Sequence, residues 1–232
     1  MKLSKISYKN KNGKMVSIDL QRKDGTIYDI FFIYGPPGCG KTHLCKLISD
    51  AWQVNLFHGE NPMGSGPMCT EIQLEGSFND MQPISFGIPS KLTTKNIIRS
   101  KVSIENEVKN SILYYPWNRH TCVDSNNCYG EILTNAYLPL ADMQDNSIQN
   151  CCLVIDNATR GFAEKDVKEY IQELHQVAQK HNNQVIMFLD SNNCGYLSGN
   201  NRSFSMEEQT SESIVDRCKN IIHNIKTTPT SV

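Results

Sequence analysis

The feature that most constrains this chain is a glycine-rich loop that joins an apolar segment to a segment with helical periodicity. The loop, Gly35-Pro36-Pro37-Gly38-Cys39-Gly40-Lys41-Thr42, fits the pattern G-x-x-x-x-G-K-[ST], and the apolar run Phe31–Tyr34 precedes it. Behind the loop, apolar residues recur at helical spacing: Leu44, Leu47, Ile48 and Ala51. A buried strand, a glycine loop and a helix in this order predict an α/β domain with a mostly parallel sheet.

The loop itself predicts a phosphate-binding site. Gly35, Gly38 and Gly40 permit the backbone angles with which successive N–H groups surround a phosphate, and the helix N-terminus adds positive potential there. Lys41 would neutralise the β- and γ-phosphates, and the Thr42 hydroxyl would hold Mg²⁺. We therefore expect a nucleoside triphosphate with Mg²⁺ to be bound by the run from Gly35 to Thr42 and by the adjacent His43.

A second apolar run ends in an acidic residue. Cys151–Ile155 is continuously apolar, and Asp156 follows it directly. In proteins with such a loop, a buried strand beside the loop strand delivers an Asp to the Mg²⁺ shell, because ligands collect at the carboxyl ends of parallel strands. Asp156 is thus the candidate magnesium ligand beside Thr42. The alternative is that Asp156 merely caps the helix that follows.

A third buried strand is predicted at Gln184–Leu189, and Asp190 stands at its end. Between the second and third strands, Glu164–Gln179 has the clearest amphipathic helical pattern of the chain. A polar side chain at the end of the third strand would contact the γ-phosphate or the attacking water. Asp190 is therefore a catalytic candidate, although a plain turn at this point is the alternative.

The N-terminal segment alternates with the period of a β-strand. Leu3–Tyr8 and Met15–Leu20 flank a turn-rich stretch and predict an antiparallel hairpin. Thr70–Gly76 and Pro83–Pro89 predict two further short strands. Antiparallel strands are thus expected to precede and adjoin the parallel core.

The middle of the chain predicts helices. Apolar residues across 93–115 suit one or two helices, and 131–143 suits another that Pro139 kinks or ends. One more helix is predicted at Ser213–Ile225, and residues 226–232 are expected to form a flexible tail.

Composition limits the possible functions. The 232 residues are 39% hydrophobic and 20% charged, which suits one α/β domain with an insertion. The net charge of −1 gives no global field for nucleic acid or an anionic membrane. No apolar run reaches the about 18 residues of a membrane span, and the N-terminus lacks an apolar signal core. We therefore expect a cytoplasmic location.

The nine cysteines are odd in number, and one of them lies inside the phosphate loop. This pattern favours reduced thiols over a disulfide framework. His120, Cys122 and Cys128 could form part of a zinc site, but they lack a paired C-x-x-C and a fourth ligand. Simple loop cysteines are the preferred interpretation.

Taken together, the motifs resemble those of ABC-type ATPases. Lys41 and Asp156 are about 115 residues apart, more than in compact AAA+ or superfamily 3 helicase cores, and ABC-type ATPases insert a helical subdomain at this place. Leu153–Val167 is similar to the family's Walker B and D-loop run, hhhhDEPTxGLD. Tyr8 falls where the family carries an aromatic ring that stacks on adenine. The resemblance covers most of the chain and is loose between the two motifs.

The resemblance implies ATP and Mg²⁺ as ligands. It also implies one domain, with a nucleotide-binding core at 1–60 and 148–232 and a helical subdomain at about 90–147. Dimerisation through the nucleotide face is the family's mode, so we expect a homo- or hetero-oligomer with a separately encoded partner subunit. A nucleic-acid role would usually bring a coiled coil, and the sequence does not indicate one.

Several positions depart from the family pattern. Asn157 stands where the family has its catalytic Glu, and Ala163 replaces the D-loop Asp. Asp190 or Ser191 occupies the position of the switch His, and 132–136 shows no LSGGQ signature. An amide can position a water but cannot take its proton at neutral pH. The resemblance thus implies intact binding and impaired hydrolysis.

Three interpretations remain open. The chain is a slow, switch-like ATP-binding subunit that relies on Lys41, Asp156 and Asp190, or it is a fully active ATPase of a divergent branch. In the second case Asp190 or Glu131 would supply a catalytic group that the alignment misplaces. A scaffold that has lost nucleotide is the third interpretation, and the complete phosphate loop argues against it.

Overall fold

The computed structural model describes residues 1–10, 13–56, 71–78, 82–88, 112–116, 137–145, 148–159, 162–190 and 203–206. In chain order the elements are β1 (Lys2–Lys9), β2 (Met15–Asp19), β3 (Ile30–Gly35), α1 (Lys41–Leu56), β4 (Ile72–Phe78), β5 (Gln82–Ile88), β6 (Ile112–Tyr115), α2 (137–144), β7 (Cys152–Ile155), α3 (Glu164–Lys180), β8 (Gln184–Asp190) and β9 (Ser203–Ser205).

A five-stranded parallel sheet has the order β6-β7-β8-β3-β9. Its central strands are buried on both faces, as their continuous apolar runs predict. The predicted α/β class with a mostly parallel core is confirmed. The prediction that the strand ending in Asp156, β7, lies beside the loop strand β3 is wrong, because β8 lies between them. The β7-α3-β8 connection is short and places β8 beside β7, so β3 pairs with the far edge of β8.

Alternate residues of the parallel strands pack against different helices. One set faces α1 and includes Ile33, Val154 and Phe188, and the other packs with α3 and α2 and includes Phe32, Leu153 and Met187. Side chains two residues apart on a strand point to the same face. Val154 and Phe188 face α1, and Asp156 and Asp190 each follow two residues later. Both carboxylates thus lie on the face that carries α1, at the carboxyl edge of the sheet.

The second sheet is antiparallel, in the order β2-β1-β4-β5, and it confirms the N-terminal hairpin and the two short strands. Apolar side chains of β1, β2 and β4 share one core with α1 and the parallel sheet. The Gln184 side chain links the sheets, since its Oε1 accepts from Leu3 N at 2.7 Å and its Nε2 donates to Leu3 O at 2.8 Å. Lys2 Nζ and Asp29 form an ion pair at 3.1 Å nearby.

Two predictions in the middle of the chain are corrected. Ile112–Tyr115 forms strand β6 and not the end of a helix, because a short apolar run of this kind fits either period. Pro139 does not end its helix, since residues on both sides of it are helical and Asp145 N donates to Ala141 O at 3.1 Å. In α2 as described, Pro139 lies in the first turn, where backbone N–H groups have no acceptor within the helix and a proline is tolerated.

Other predictions lie outside the described residues. These are the helices over 93–111 and Ser213–Ile225, the tail at 226–232, the segment at 132–136, Glu131, Ser191 and the three residues of the candidate zinc site. Within the described segments, Cys39, Cys45, Cys151 and Cys152 are free thiols, as predicted. The helices in these segments are too short or too polar to cross a membrane.

Candidate phosphate-binding site

The loop between β3 and α1 is a tight turn that needs its glycines. Gly38 and Gly40 have φ angles of +79° and +108°, which L side chains rarely adopt. At Gly35 an added Cβ would lie 2.8 Å from Cys39 Sγ and 3.1 Å from Met206 Cβ. Cys39 N closes the turn by donating to Pro36 O at 3.2 Å, and α1 starts directly behind it at Lys41. The loop and the N-terminus of α1 therefore face the same point, where backbone N–H groups can receive an anion.

Lys41 points back over the loop and is only 8% exposed. Its Nζ donates to Gly35 O at 2.6 Å and to Pro36 O at 3.0 Å. The same ammonium forms an ion pair with Asp190 Oδ1 at 3.0 Å. Lys41 is thus held at the carboxyl edge of the sheet, and its contact with phosphates stays a prediction.

Asp190 is the last residue of β8 and lies opposite Gly35 in the strand register. The sheet order explains the contact, because β8 is the direct neighbour of the loop strand. The sequence predicted that Asp190 would lie near the phosphate, and the structure places it beside Lys41. Its proposed part in catalysis stays a prediction.

Asp156 follows β7 and is 3% exposed. Its N–H donates to Tyr115 O at 3.0 Å, and its carboxylate accepts a hydrogen bond from the Thr42 hydroxyl. Burial raises the pKa of this carboxyl, the Thr42 hydrogen bond and the Lys41 charge lower it, and the Asp190 charge raises it further, with a net rise. Asp156 Oδ2 has no hydrogen-bond partner among the described residues. The two residues predicted to bind magnesium are therefore in contact, and one carboxylate oxygen remains unpaired.

Oxygen ligands of this kind suit Mg²⁺. A hydroxyl, a carboxylate and phosphate oxygens are the hard donors that this ion prefers, and it usually keeps several waters. The unpaired Asp156 Oδ2 is the observation that supports the fit, because a buried carboxylate oxygen normally has a partner. In the described segments no group of three or more His, Cys, Asp or Glu forms a metal site without a ligand's help.

Two residues beside Asp156 were missed by sequence reasoning. The Cys45 thiol is fully buried and hydrogen bonds to Asp156, and burial followed by the Asp156 charge raises its pKa. The Tyr114 hydroxyl is buried with no hydrogen-bond partner in the described part of the chain. Burial raises the pKa of Tyr114, and the charges of Cys45, Asp156 and Asp50 raise it further. Cys45 could have been found from its place one helical turn after Thr42. Tyr114 could not, since its segment was predicted to be helical.

Asn157 adopts the left-handed conformation with a φ of +52°. Asparagine tolerates this region better than most residues. Its Oδ1 is buried, and no described residue donates to it. The next residue, Ala158, donates its N–H to Phe188 O at 3.2 Å and so ties this turn to β8.

The remaining candidate residues have different surroundings. His43 lies in the first turn of α1 and is partly buried. Tyr8 lies in β1 with 4% of its surface exposed and packs in the core shared by the two sheets. Stacking of Tyr8 on adenine stays a prediction, and it would require the ring to leave this core.

Comparisons with known proteins bear on the loop and on the fold. The model of the ATPase family associated with various cellular activities (AAA) matches residues 31–68. The match covers β3, the loop and α1 and ends before Asp156, so it does not test the spacing that argued against an AAA+ core. Together with the sheet order, it is consistent with the P-loop NTPase fold. A search of curated proteins gave no significant match.

Three solved structures are similar to the chain at low sequence identity. The SMC head domain from Thermotoga maritima is 16% identical, with a TM-score of 0.45, over 86% of this chain and 93% of that one. An SmcHead bound to the C-winged helix domain of ScpA is 8% identical, with a TM-score of 0.44, over 82% and 89%. A bacterial Atm1-family ABC exporter with ATP bound is 10% identical, with a TM-score of 0.38, over 99% and 43%.

Proposed function

We propose that this divergent P-loop ATPase domain binds Mg-ATP and hydrolyses it slowly, so that bound ATP drives or holds a conformational or assembly switch. The observation that carries the proposal is the contact between Thr42 and Asp156 beside the phosphate loop, with Asp156 Oδ2 unpaired. A carboxylate is buried in this way at a cost unless a cation or donor completes its shell.

Each residue has a defined part in binding. The loop N–H groups and the start of α1 would surround the β-phosphate, and Lys41 would neutralise the β- and γ-phosphates. Thr42 and Asp156 would hold Mg²⁺, which, when bound, neutralises charge on the phosphate oxygens. Lys41 and Asp156 contribute opposite charges within the same buried site. The phosphate oxygens would therefore meet a cation, and the magnesium ion would meet an anion.

Slow turnover follows from the residue beside Asp156. Asn157 can donate to a water or accept from it, but its amide cannot remove the water's proton. Its buried Oδ1, to which no described residue donates, would orient a water. We therefore expect Asn157 to position a water but not to act as an efficient base.

A fully active ATPase is the second candidate function, and Asp190 is the observation that favours it. Its carboxylate lies 3.0 Å from Lys41 Nζ, near the expected place of the γ-phosphate. A carboxylate there can accept a proton from an attacking water, provided that a path of hydrogen-bond length exists. Under this alternative Asp190, and not Asn157, would be the catalytic base.

The switch requires a partner. We propose a homo- or hetero-oligomer through the nucleotide face, with a separately encoded subunit as the responding element, and a cytoplasmic location in keeping with the free thiols. ATP that persists on the protein would favour the conformation to which it binds more tightly.

Single-turnover hydrolysis with Mg²⁺ and radiolabelled ATP, run beside an equilibrium binding titration, tests the proposal. The wild type is compared with Lys41→Ala and Asp156→Ala, and Lys46→Ala is the matched control because Lys46 is an exposed lysine of the same helix. We expect tight binding with slow turnover in the wild type and the control, and loss of binding in Lys41→Ala. Fast turnover that disappears in Asp190→Asn would select the active ATPase. No binding by the wild type would contradict both candidates.

A further inference from the structure

We infer that Asp190 is an internal competitor of the triphosphate: it holds the Lys41 ammonium in the empty protein and is displaced when the ligand binds. The inference rests on the proposed function and concerns the regulation of the same site. Its basis is the set of contacts that Lys41 makes within the chain.

Contacts within the chain fill the hydrogen-bonding capacity of Lys41. A lysine ammonium has three hydrogens to donate. The structure gives Lys41 Nζ three oxygen partners, which are Gly35 O at 2.6 Å, Pro36 O at 3.0 Å and Asp190 Oδ1 at 3.0 Å. Only 8% of the residue is exposed, so water has little access to it. A phosphate oxygen can therefore bond to Lys41 only if one present partner leaves.

Asp190 is the partner best able to leave. The carbonyl oxygens of Gly35 and Pro36 belong to the loop backbone, and the Gly35 position is fixed by strand pairing with β8 and by its tight contacts. The Asp190 side chain is 35% exposed and stands at the end of its strand, so it can rotate toward solvent. A bound triphosphate would also repel the carboxylate, since both are anions near one ammonium.

The exchange would couple binding to the state of Asp190. While the site is empty, the Lys41 charge neutralises the carboxylate and holds it in place. Once phosphate takes Lys41, the carboxylate is released at the edge where an attacking water would stand. A ligand must therefore interact with Lys41 more strongly than a carboxylate does, which favours polyphosphates over singly charged anions.

The test is the affinity for a ligand that contains only the phosphate part. Inorganic tripolyphosphate is titrated with Mg²⁺ into the nucleotide-free wild type and into Asp190→Asn, by calorimetry at low salt. Removal of a partly exposed ion pair predicts about fivefold tighter binding by Asp190→Asn. The thermal midpoint of the empty variant is expected to fall slightly, because the ion pair is lost, and a cooperative transition confirms that the variant is folded.

We call the hold of Asp190 on Lys41 the clamp. Two controls distinguish this clamp from a general effect of removing a negative charge. Asp50→Asn removes the same charge from α1 and should leave the affinity unchanged within about twofold. Asp190→Asn introduced into Lys41→Ala should give a clearly smaller gain, because the carboxylate then has no ammonium to hold and only its repulsion of the phosphates is removed.

The results that would overturn the clamp differ from those that would also overturn the proposed function. Equal or weaker binding by folded Asp190→Asn, or an equal gain in Asp50→Asn, would overturn the clamp while leaving the proposed function intact. Absence of tripolyphosphate and ATP binding in every protein, wild type included, would remove the proposed function and the clamp together.

Discussion

Substitution of Asp156 by Asn should stabilise the empty protein while it removes magnesium-dependent binding. Asp156 is 3% exposed, its Oδ2 is unpaired within the described segments, and burial is the largest cause of its raised pKa. A buried polar group without a partner costs about 1–3 kcal/mol. Asparagine keeps an oxygen for the Thr42 hydroxyl and removes the charge. Its amide nitrogen would take the unpaired Oδ2 position, so the gain comes from no longer burying a charge. We therefore expect the free energy of unfolding at pH 7 without Mg²⁺ to rise by about 1–2 kcal/mol, or about 3–6 °C in Tm.

The pH dependence of this gain has a definite sign. The folded-state pKa of Asp156 lies above the unfolded value, so the wild-type group contributes its stability when protonated, below the unfolded pKa. That contribution is lost as the pH rises through the folded-state pKa. The variant carries no such group, so the difference between Asp156→Asn and wild type should be largest near neutral pH and smallest below pH 3.8, the ordinary pKa of the group.

Urea unfolding at several pH values, with and without Mg-ATP, measures the effect. Asp50→Asn is the matched control, because burial also raises the pKa of Asp50, which is only partly buried, and a smaller gain is expected there. Mg-ATP should stabilise the wild type and not Asp156→Asn. A variant that is less stable than wild type at pH 7 without Mg²⁺, or a difference that does not depend on pH, would refute the reasoning.

Three further predictions concern stability and are measured by urea unfolding. Tyr114→Phe removes a buried unpaired hydroxyl and should stabilise the fold by about 1 kcal/mol, whereas a loss would indicate that a water or ligand uses it. Gly76→Ala should cost about 1–3 kcal/mol, because its Cβ would clash with the backbone oxygen of Lys2, and a neutral result would contradict this packing. Gln184→Leu should cost about 2–4 kcal/mol by leaving two buried backbone groups of Leu3 unpaired, and a cost under half of that would mean they find other partners.

The elements around the loop could be predicted from sequence because several local signals agree there. The loop pattern, the apolar runs before Asp156 and Asp190 and the amphipathic pattern of α3 each point to one structure. Side-chain alternation then brings both acids to the face of α1, where they meet Lys41 and Thr42. Local pattern alone thus located the main residues of the candidate site.

The missed features depend on contacts between distant parts of the chain. The order of β7, β8 and β3 is a property of the whole sheet, and without it the ion pair of Lys41 with Asp190 cannot be foreseen. Strand β6 is a run of only four residues, which has no distinguishable period. The burial of Tyr8 follows from the packing of the antiparallel sheet on α1, which no motif encodes.

The most direct test of the central claim is calorimetric titration of ATP into the full chain, with and without Mg²⁺. The wild type, Lys41→Ala and the control Lys46→Ala are compared under one set of conditions. We predict saturable binding by the wild type and by Lys46→Ala that strengthens with Mg²⁺, and a loss of at least about tenfold in Lys41→Ala, since a charge-assisted contact to phosphate is removed. Equal binding by Lys41→Ala and wild type, or binding that ignores Mg²⁺, would contradict the assignment of this loop as a magnesium-nucleotide site.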